Sequence, residues 1–158
     1  MSSSKLTLNN AASAVAAVAR FARRRVRSTA EVRAYLRRRG VSDVTAEHVL
    51  AACRARSLLD DPAAARLWAE QWARAGYAWS VIREKLTAKG FDEAVLERLE
   101  RTVGTVAEDA ARARGLITRD VQQPPHRNTA QERARLARRL TARGFDPELI
   151  ESLLTDER

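Results

Sequence analysis

The feature that most constrains this chain is a motif written three times. A basic residue followed by Gly closes Tyr35-Leu-Arg-Arg-Arg-Gly40-Val, Glu84-Lys-Leu-Thr-Ala-Lys-Gly90-Phe and Arg139-Leu-Thr-Ala-Arg-Gly144-Phe. Four residues before each Gly stands Leu36, Leu86 or Leu140. Eight before it stands Val32, Ile82 or Leu136. The next residue is Val41, Phe91 or Phe145. Apolar residues four apart share one helix face. Gly enters the left-handed conformation that ends a helix without strain. The preceding Arg39, Lys89 or Arg143 suits the negative helix end. Each copy therefore predicts a helix that stops at its Gly.

The copies are separated by 50 and 54 residues, room for about three short helices each. Thr45, Asp92 and Asp146 are the expected N-caps of the helices after the Gly turns. Pro147 takes a first helical position, where a missing N–H costs nothing. These helices should bury Val49/Leu50/Cys53, Val95/Leu96/Leu99 and Leu149/Ile150/Leu153. With Thr45 as cap, the first copy carries about three extra residues in its turn. The first helix of each copy falls at 10–25, from Asp61-Pro62 to Gly76, and at about 106–119. Asn10 caps the first and buries Val15, Val18 and Ala22. The second shows Ala64, Leu67, Trp68, Trp72 and Ala75. Ser28-x-x-Glu31 and Thr129-x-x-Glu132 are capping boxes that open middle helices.

No period-2 run and no Asn-Gly or Asp-Gly hairpin occurs, and the 30 Ala and 26 Arg favour helix. The predicted fold is all-α: three tandem three-helix repeat units forming an elongated, curved molecule. The boundaries are a disordered tail at 1–9 and units at 10–57, 58–104 and 105–158. An exposed Pro-containing linker at 120–128 lies in the third unit.

The net charge is +9, from 29 basic and 20 acidic residues. It is unevenly placed. Residues 20–56 hold eleven Arg against Glu31, Asp43 and Glu47, a net of +8, whereas 57–105 net −1 and 106–158 net +1. The runs Arg23–Arg25 and Arg37–Arg39 look short of acidic partners. Arg33 and Arg83 recur seven residues before their Gly. Such a footprint fits an anionic partner, nucleic acid or nucleoprotein.

Catalytic chemistry is not written here. His48 and His126 are far apart, and no Cys/His set has metal-ligand spacing. No phosphate-cradling Gly-rich loop is present. Asp60-Asp61 reads as helix capping before Pro62, with a metal-nuclease pair as the rival. Cys53 reads as a small core residue. Trp68 and Trp72 read as packing, while Trp79 fits either base stacking or packing at a turn. The single Cys excludes an internal disulfide. The N-terminus lacks a signal-peptide core, and no run is long enough to span a bilayer. The expected compartment is the cytoplasm. No enzyme activity and no cofactor or metal is expected.

An ordered set of short motifs carries a resemblance. It runs Arg27-Ser-x-x-Glu-Val-x-x-Tyr-Leu-x-x-Arg-Gly40, then Leu58-Leu59-Asp60-Asp61 with Ala65 and Trp68-Ala69. Gly76 to Trp79, Ile82-Arg-Glu-Lys-Leu86, Gly90, Leu140-x-x-Arg-Gly-Phe145 and Ile150 follow. Over roughly Arg23 to Leu154 the chain resembles the bacterial RecX regulatory proteins. The resemblance implies tandem three-helix repeats. It also implies a non-enzymatic regulator that binds the RecA recombinase, mainly as its filament on single-stranded DNA. Such a regulator limits filament growth, ATP hydrolysis and strand exchange in recombination, DNA repair and the SOS response. Some members also bind DNA directly, and a monomer is expected. Charge and repeat position, rather than the resemblance, select the candidate contact residues Arg33, Arg37, Arg38, Arg83, Lys89, Arg138, Arg139 and Arg143. The rival reading is a sequence-nonspecific nucleic-acid-binding helical protein without a RecA partner.

Overall fold

The structure is a computed structural model that describes residues 11–121 and 129–155. The expected cap Asn10, the tail at 1–9, His126 and most of the linker lie outside the described residues. Among the described residues there are nine α-helices and no strand. They are α1 (Ala11–Arg23), α2 (Thr29–Arg38), α3 (Asp43–Ala55), α4 (Asp61–Arg74), α5 (Trp79–Ala88), α6 (Glu93–Glu100), α7 (Val106–Val121), α8 (Ala130–Ala142) and α9 (Pro147–Thr155).

The three Gly stops are real. Gly40, Gly90 and Gly144 have φ of 77°, 77° and 84°. In the first copy Val41 N–H bonds to Leu36 C=O at 3.2 Å and Gly40 N–H to Arg37 C=O at 2.9 Å. In the third, Phe145 N–H bonds to Leu140 C=O at 3.2 Å and Gly144 N–H to Thr141 C=O at 2.9 Å. This paired pattern satisfies the last carbonyls of a helix and turns the apolar residue after Gly inward. Val41, Phe91 and Phe145 are all buried, as are the residues four and eight before each Gly.

One expectation is corrected, and the correction makes the repeat more regular. The cap of α3 is Ser42, not Thr45: Ser42 Oγ accepts from Thr45 N–H at 3.2 Å. Ser42, Asp92 and Asp146 each stand two residues after their Gly, so the first copy has no extra residues. Asp146 Oδ1 accepts from Glu148 N–H at 2.8 Å, with Pro147 at the first helical position. Both capping boxes are present, at Ser28/Glu31 and Thr129/Glu132. A second correction concerns α4. Leu67 is 52% exposed, and Ala75 is exposed. The buried face is Ala64, Ala65, Trp68 and Ala69; both sets fit the helical period, and tertiary packing turns α4 so that Ala65 and Ala69 are covered in place of Leu67. In α1, Val15 and Val18 are buried but Ala22 is only half-buried; Ala14 and Ala17 complete the face.

The chain divides into two compact units that do not follow the three-unit boundaries. One is Met1–Arg66 with Thr87–Val95; the other is Leu67–Leu86 with Leu96–Arg158. The first packs Val15 and Val18 of α1, Val32 and Leu36 of α2, and Val49, Leu50 and Cys53 of α3 into one core. In the second, α7 contributes Leu116 and Ile117, α8 Leu136 and Leu140, and α9 Ile150 and Leu153. Each such aliphatic side chain contributes roughly 1.5–3 kcal/mol by leaving water.

Within each compact unit, one joint between successive copies recurs. In the first, Gly90 sits so close to α2 that an added Cβ would lie 2.5 Å from Ala30 Cβ. Ser28 Oγ donates to Lys89 C=O at 2.5 Å. In the second, a Cβ on Gly144 would lie 2.5 Å from Val81 Cγ2 and 2.7 Å from Ser80 Oγ. Ala78 N–H donates to Arg143 C=O at 2.9 Å, and Ser80 Oγ to Gly144 C=O at 2.8 Å. The C-terminal turn of one middle helix thus meets the N-terminal turn of the preceding one. Exposed carbonyls at one helix end meet hydrogen-bond donors at the other.

A second recurring contact completes each joint. Thr29 N–H donates to Asp61 Oδ1 at 2.8 Å, and Trp79 N–H donates to Asp109 Oδ1 at 3.0 Å. Thr29 and Trp79 hold the same position, eleven residues before their Gly. In each case an Asp on the next copy's first helix satisfies the leading N–H of a middle helix.

Candidate partner-binding surface

The basic segment 20–56 lies on α1, α2, α3 and the turns between them. Its three acidic residues are all engaged. Arg33 Nε pairs with Glu47 at 2.8 Å, Arg37 Nε with Asp43 at 2.8 Å, and Arg27 with Glu31 at 3.6 Å. Part of the expected shortage of acidic partners is therefore met by through-space pairing. The surplus of eight positive charges remains. The bond from Arg33 holds the Glu47 carboxyl below its usual value, and the bond from Arg37 does the same for Asp43. The guanidinium of Arg33 is raised in turn, chiefly by its bond to Glu47. The Arg33–Glu47 and Arg37–Asp43 bonds face solvent, so they are weak and exchangeable.

The eight candidate residues separate by environment. Arg38 and Arg138 are exposed and have no ionic partner among the described residues. Arg37 is exposed and held only by Asp43; Arg33 is half-buried against Glu47. Arg83 is half-buried, with Nη1 enclosed. Lys89 serves the first joint: its side chain is 16% exposed and Nζ lies 3.2 Å from Glu31. Arg139, with Arg135, clamps the buried Asp120 at 2.8 Å each, tying α8 to the end of α7. Arg143 donates to Ala75 C=O and stacks over the Tyr77 ring at 4.8 Å. The free cations of the set are thus Arg38 and Arg138, while Lys89, Arg139 and Arg143 hold the fold together.

An aromatic column in the first compact unit carries no signal in the sequence. Phe21 of α1 stacks on Tyr35 of α2 with ring centroids 4.2 Å apart and planes within 10°. Arg27 covers the Phe21 ring at 4.2 Å and Arg39 covers Tyr35 at 4.9 Å. Cation–ring contacts of this kind are worth about 0.5–1 kcal/mol at exposed sites. The two rings lie 14 residues apart, so no local spacing announces the pair. A second cluster places Lys85 over both Trp72 and Tyr77, at 5.6 and 5.2 Å. Trp72 stacks on Trp68 at 5.2 Å.

Trp79 is 5% exposed. Its ring lies against Gly104, where an added Cβ would come within 2.6 Å. The residue packs at a turn and presents no face for a base. Asp60 and Asp61 cap different helices: Asp60 Oδ1 accepts from Ala63 N–H at 2.9 Å, whereas Asp61 reaches Thr29. The two adjacent carboxylates thus cap the N-terminal turns of two helices, α4 and α2. Both are employed in this way, against their reading as a metal pair. No group of three or more His, Cys, Asp or Glu side chains among the described residues is arranged to hold a metal. His48 is exposed, and Cys53 is buried with its thiol pushed up by desolvation. No helix among the described residues is long and apolar enough to cross a membrane.

No protein-family model and no curated protein matches the chain. Solved structures do. The crystal structure of RecX from Lactobacillus salivarius superimposes with a TM-score of 0.78 at 15% identity, over 94% of this chain and 96% of that one. A crystal structure of a regulatory protein RecX superimposes with a TM-score of 0.68 at 20% identity, over 92% of this chain and 71% of that one. At these identities the likeness is one of backbone architecture, and this chain has the all-helical fold of the RecX structures.

Proposed function

We propose that this chain is a RecX regulator, built of three tandem helical units, that binds the RecA recombinase. The reading takes the RecA filament on single-stranded DNA as the target and limitation of filament growth, ATP hydrolysis and strand exchange as the effect. One observation carries it: the likeness to RecX structures extends over 94% of the chain, where the ordered motifs had already pointed. The basic segment supports it, since a nucleoprotein filament is strongly anionic. The work would be done by binding alone, in the cytoplasm, by a monomer without cofactor.

The test is RecA ATPase activity on single-stranded DNA with substoichiometric protein added, alongside filament length by electron microscopy. Inhibition and shortened filaments are expected. Unchanged ATPase and unchanged filaments would sink the reading.

The surplus charge of residues 20–56 favours a second reading, a nucleic-acid-binding protein indifferent to RecA. It requires DNA affinity that falls steeply with salt and no effect on RecA. Binding to naked single- and double-stranded DNA across a salt series, set beside the ATPase assay, separates the two.

A further inference from the structure

The three Gly turns are alike in sequence and backbone but not in surroundings. Gly90 and Gly144 are each seated on the N-terminal turn of a middle helix, close enough that a Cβ would collide at 2.5 Å. Gly40 has the same φ as Gly90, yet an added Cβ would meet nothing within 4 Å among the described residues. The hydrogen bonds differ in the same way. Lys89, Arg143 and Gly144 carbonyls accept from Ser28, Ala78 and Ser80. The corresponding Arg39 and Gly40 carbonyls receive no hydrogen bond from the described residues.

We propose that the Gly40 turn is an open copy of this joint and that it docks on the N-terminal turn of an α-helix in a partner protein. The seated copies define the chemistry of that helix. It should offer a small residue in its first turn, as Ala30 and Ser80 do, and N–H or hydroxyl donors for two carbonyls. It should also carry a carboxylate, as Glu31 does for Lys89 at 3.2 Å. Beside the Gly40 turn Arg37 is held by Asp43 and Arg39 covers Tyr35, whereas the exposed Arg38 has no ionic partner among the described residues, so a carboxylate there gains a charge-assisted bond. A nucleic-acid phosphodiester would satisfy the arginines but has no hydrogen to give the carbonyls; the pairing of open acceptors with cations favours a protein helix. The inference rests on the proposed function for the identity of the partner, a recombinase protomer in its filament.

The closing experiment uses Gly40→Asn. Asn tolerates the left-handed conformation, and its Cβ points into open space, so the chain should keep its helicity and melt within a few degrees of the parent. The side chain would occupy the seat. Inhibition of the recombinase filament should weaken at least tenfold, while affinity for naked single-stranded DNA stays within twofold. Equal potency of variant and parent overturns the docking site. Parallel loss of naked-DNA binding overturns it in favour of a nucleic-acid contact. A parent without effect on the filament overturns the functional reading itself, a result distinguishable from either. Should Gly40→Asn misfold, Arg39→Cys carrying a short crosslinker gives an independent readout. It should capture recombinase protomer in the filament, and capture of DNA alone refutes the proposal.

Discussion

Asp61 Oδ1 accepts two hydrogen bonds from Thr29, one from its N–H at 2.8 Å and one from its hydroxyl at 3.0 Å. An aspartate at the start of α4 thus terminates α2, 32 residues earlier. Ser28, the N-cap of α2, spends its own hydroxyl on two partners, accepting from Glu31 N–H at 3.1 Å and donating to Lys89 C=O at 2.5 Å. The two contacts bind three helices at one point. Asp61→Ala should destabilise the chain by about 1–2 kcal/mol, since it orphans a helical N–H and the hydroxyl of the buried Thr29. Asp60→Ala, which removes only a local cap, should cost about 1 kcal/mol. Urea unfolding followed by circular dichroism measures both.

The glycines provide a graded series. Gly40→Ala meets only the cost of a left-handed residue, about 1–2 kcal/mol. Gly90→Ala and Gly144→Ala add a collision with Ala30 or with Ser80 and Val81, and should cost clearly more. Equal effects at all three positions, read as denaturation midpoints, would contradict the joint.

Ser57 is a non-glycine residue with φ of 54°. It ends α3 in the same pattern as the Gly stops: Ser57 N–H bonds to Arg54 C=O at 2.9 Å and Leu58 N–H to Cys53 C=O at 2.9 Å. Ser57→Gly should raise stability by about 0.5–1 kcal/mol, the relieved strain being partly offset by a more flexible unfolded chain. A lowered melting temperature would count against this account.

Leu86 is fully buried and holds the position four before Gly90. Leu86→Ala should cost about 2–5 kcal/mol. Loss near the bottom of that range would mean the surrounding helices close over the cavity.

Acid should weaken the first compact unit. Asp43 and Glu47 have carboxyls held below their usual 3.8 and 4.5, foremost by hydrogen bonds from Arg37 and Arg33. Their unfolded forms bind protons more readily, so the stabilisation is full above those values. It is lost as pH falls through the lower folded ones. The melting temperature should therefore decline below about pH 4.5, and less steeply in a protein carrying Asp43→Asn and Glu47→Gln.

Much of this fold was legible locally because its signals are local. A basic residue, Gly and an apolar residue specify a helix stop through backbone conformation alone, and all three stops were found. So were the capping boxes at Ser28 and Thr129. Thr45 and Ser42 both fit the role of a cap by residue type; the spacing of two residues from Gly, shared with Asp92 and Asp146, distinguishes Ser42. The candidate surface was less legible. Charge marks Arg38, Lys89 and Arg143 alike, yet only Arg38 is free, because burial and partners depend on residues more than fifty positions away.

Backbone preference and the 3.6-residue period were enough to place the helices, their Gly stops and most of their apolar lines, whereas the division into two compact units came from packing. Tertiary structure alone decided that Asp61 serves Thr29, that Asp109 serves Trp79, and that Lys89 and Arg143 join one copy to the next. It alone left Gly40 unseated while Gly90 and Gly144 are filled. Identical turns diverge in role because hydrogen-bond acceptors and cations are satisfied through space, by whatever helix the fold brings within about 3 Å.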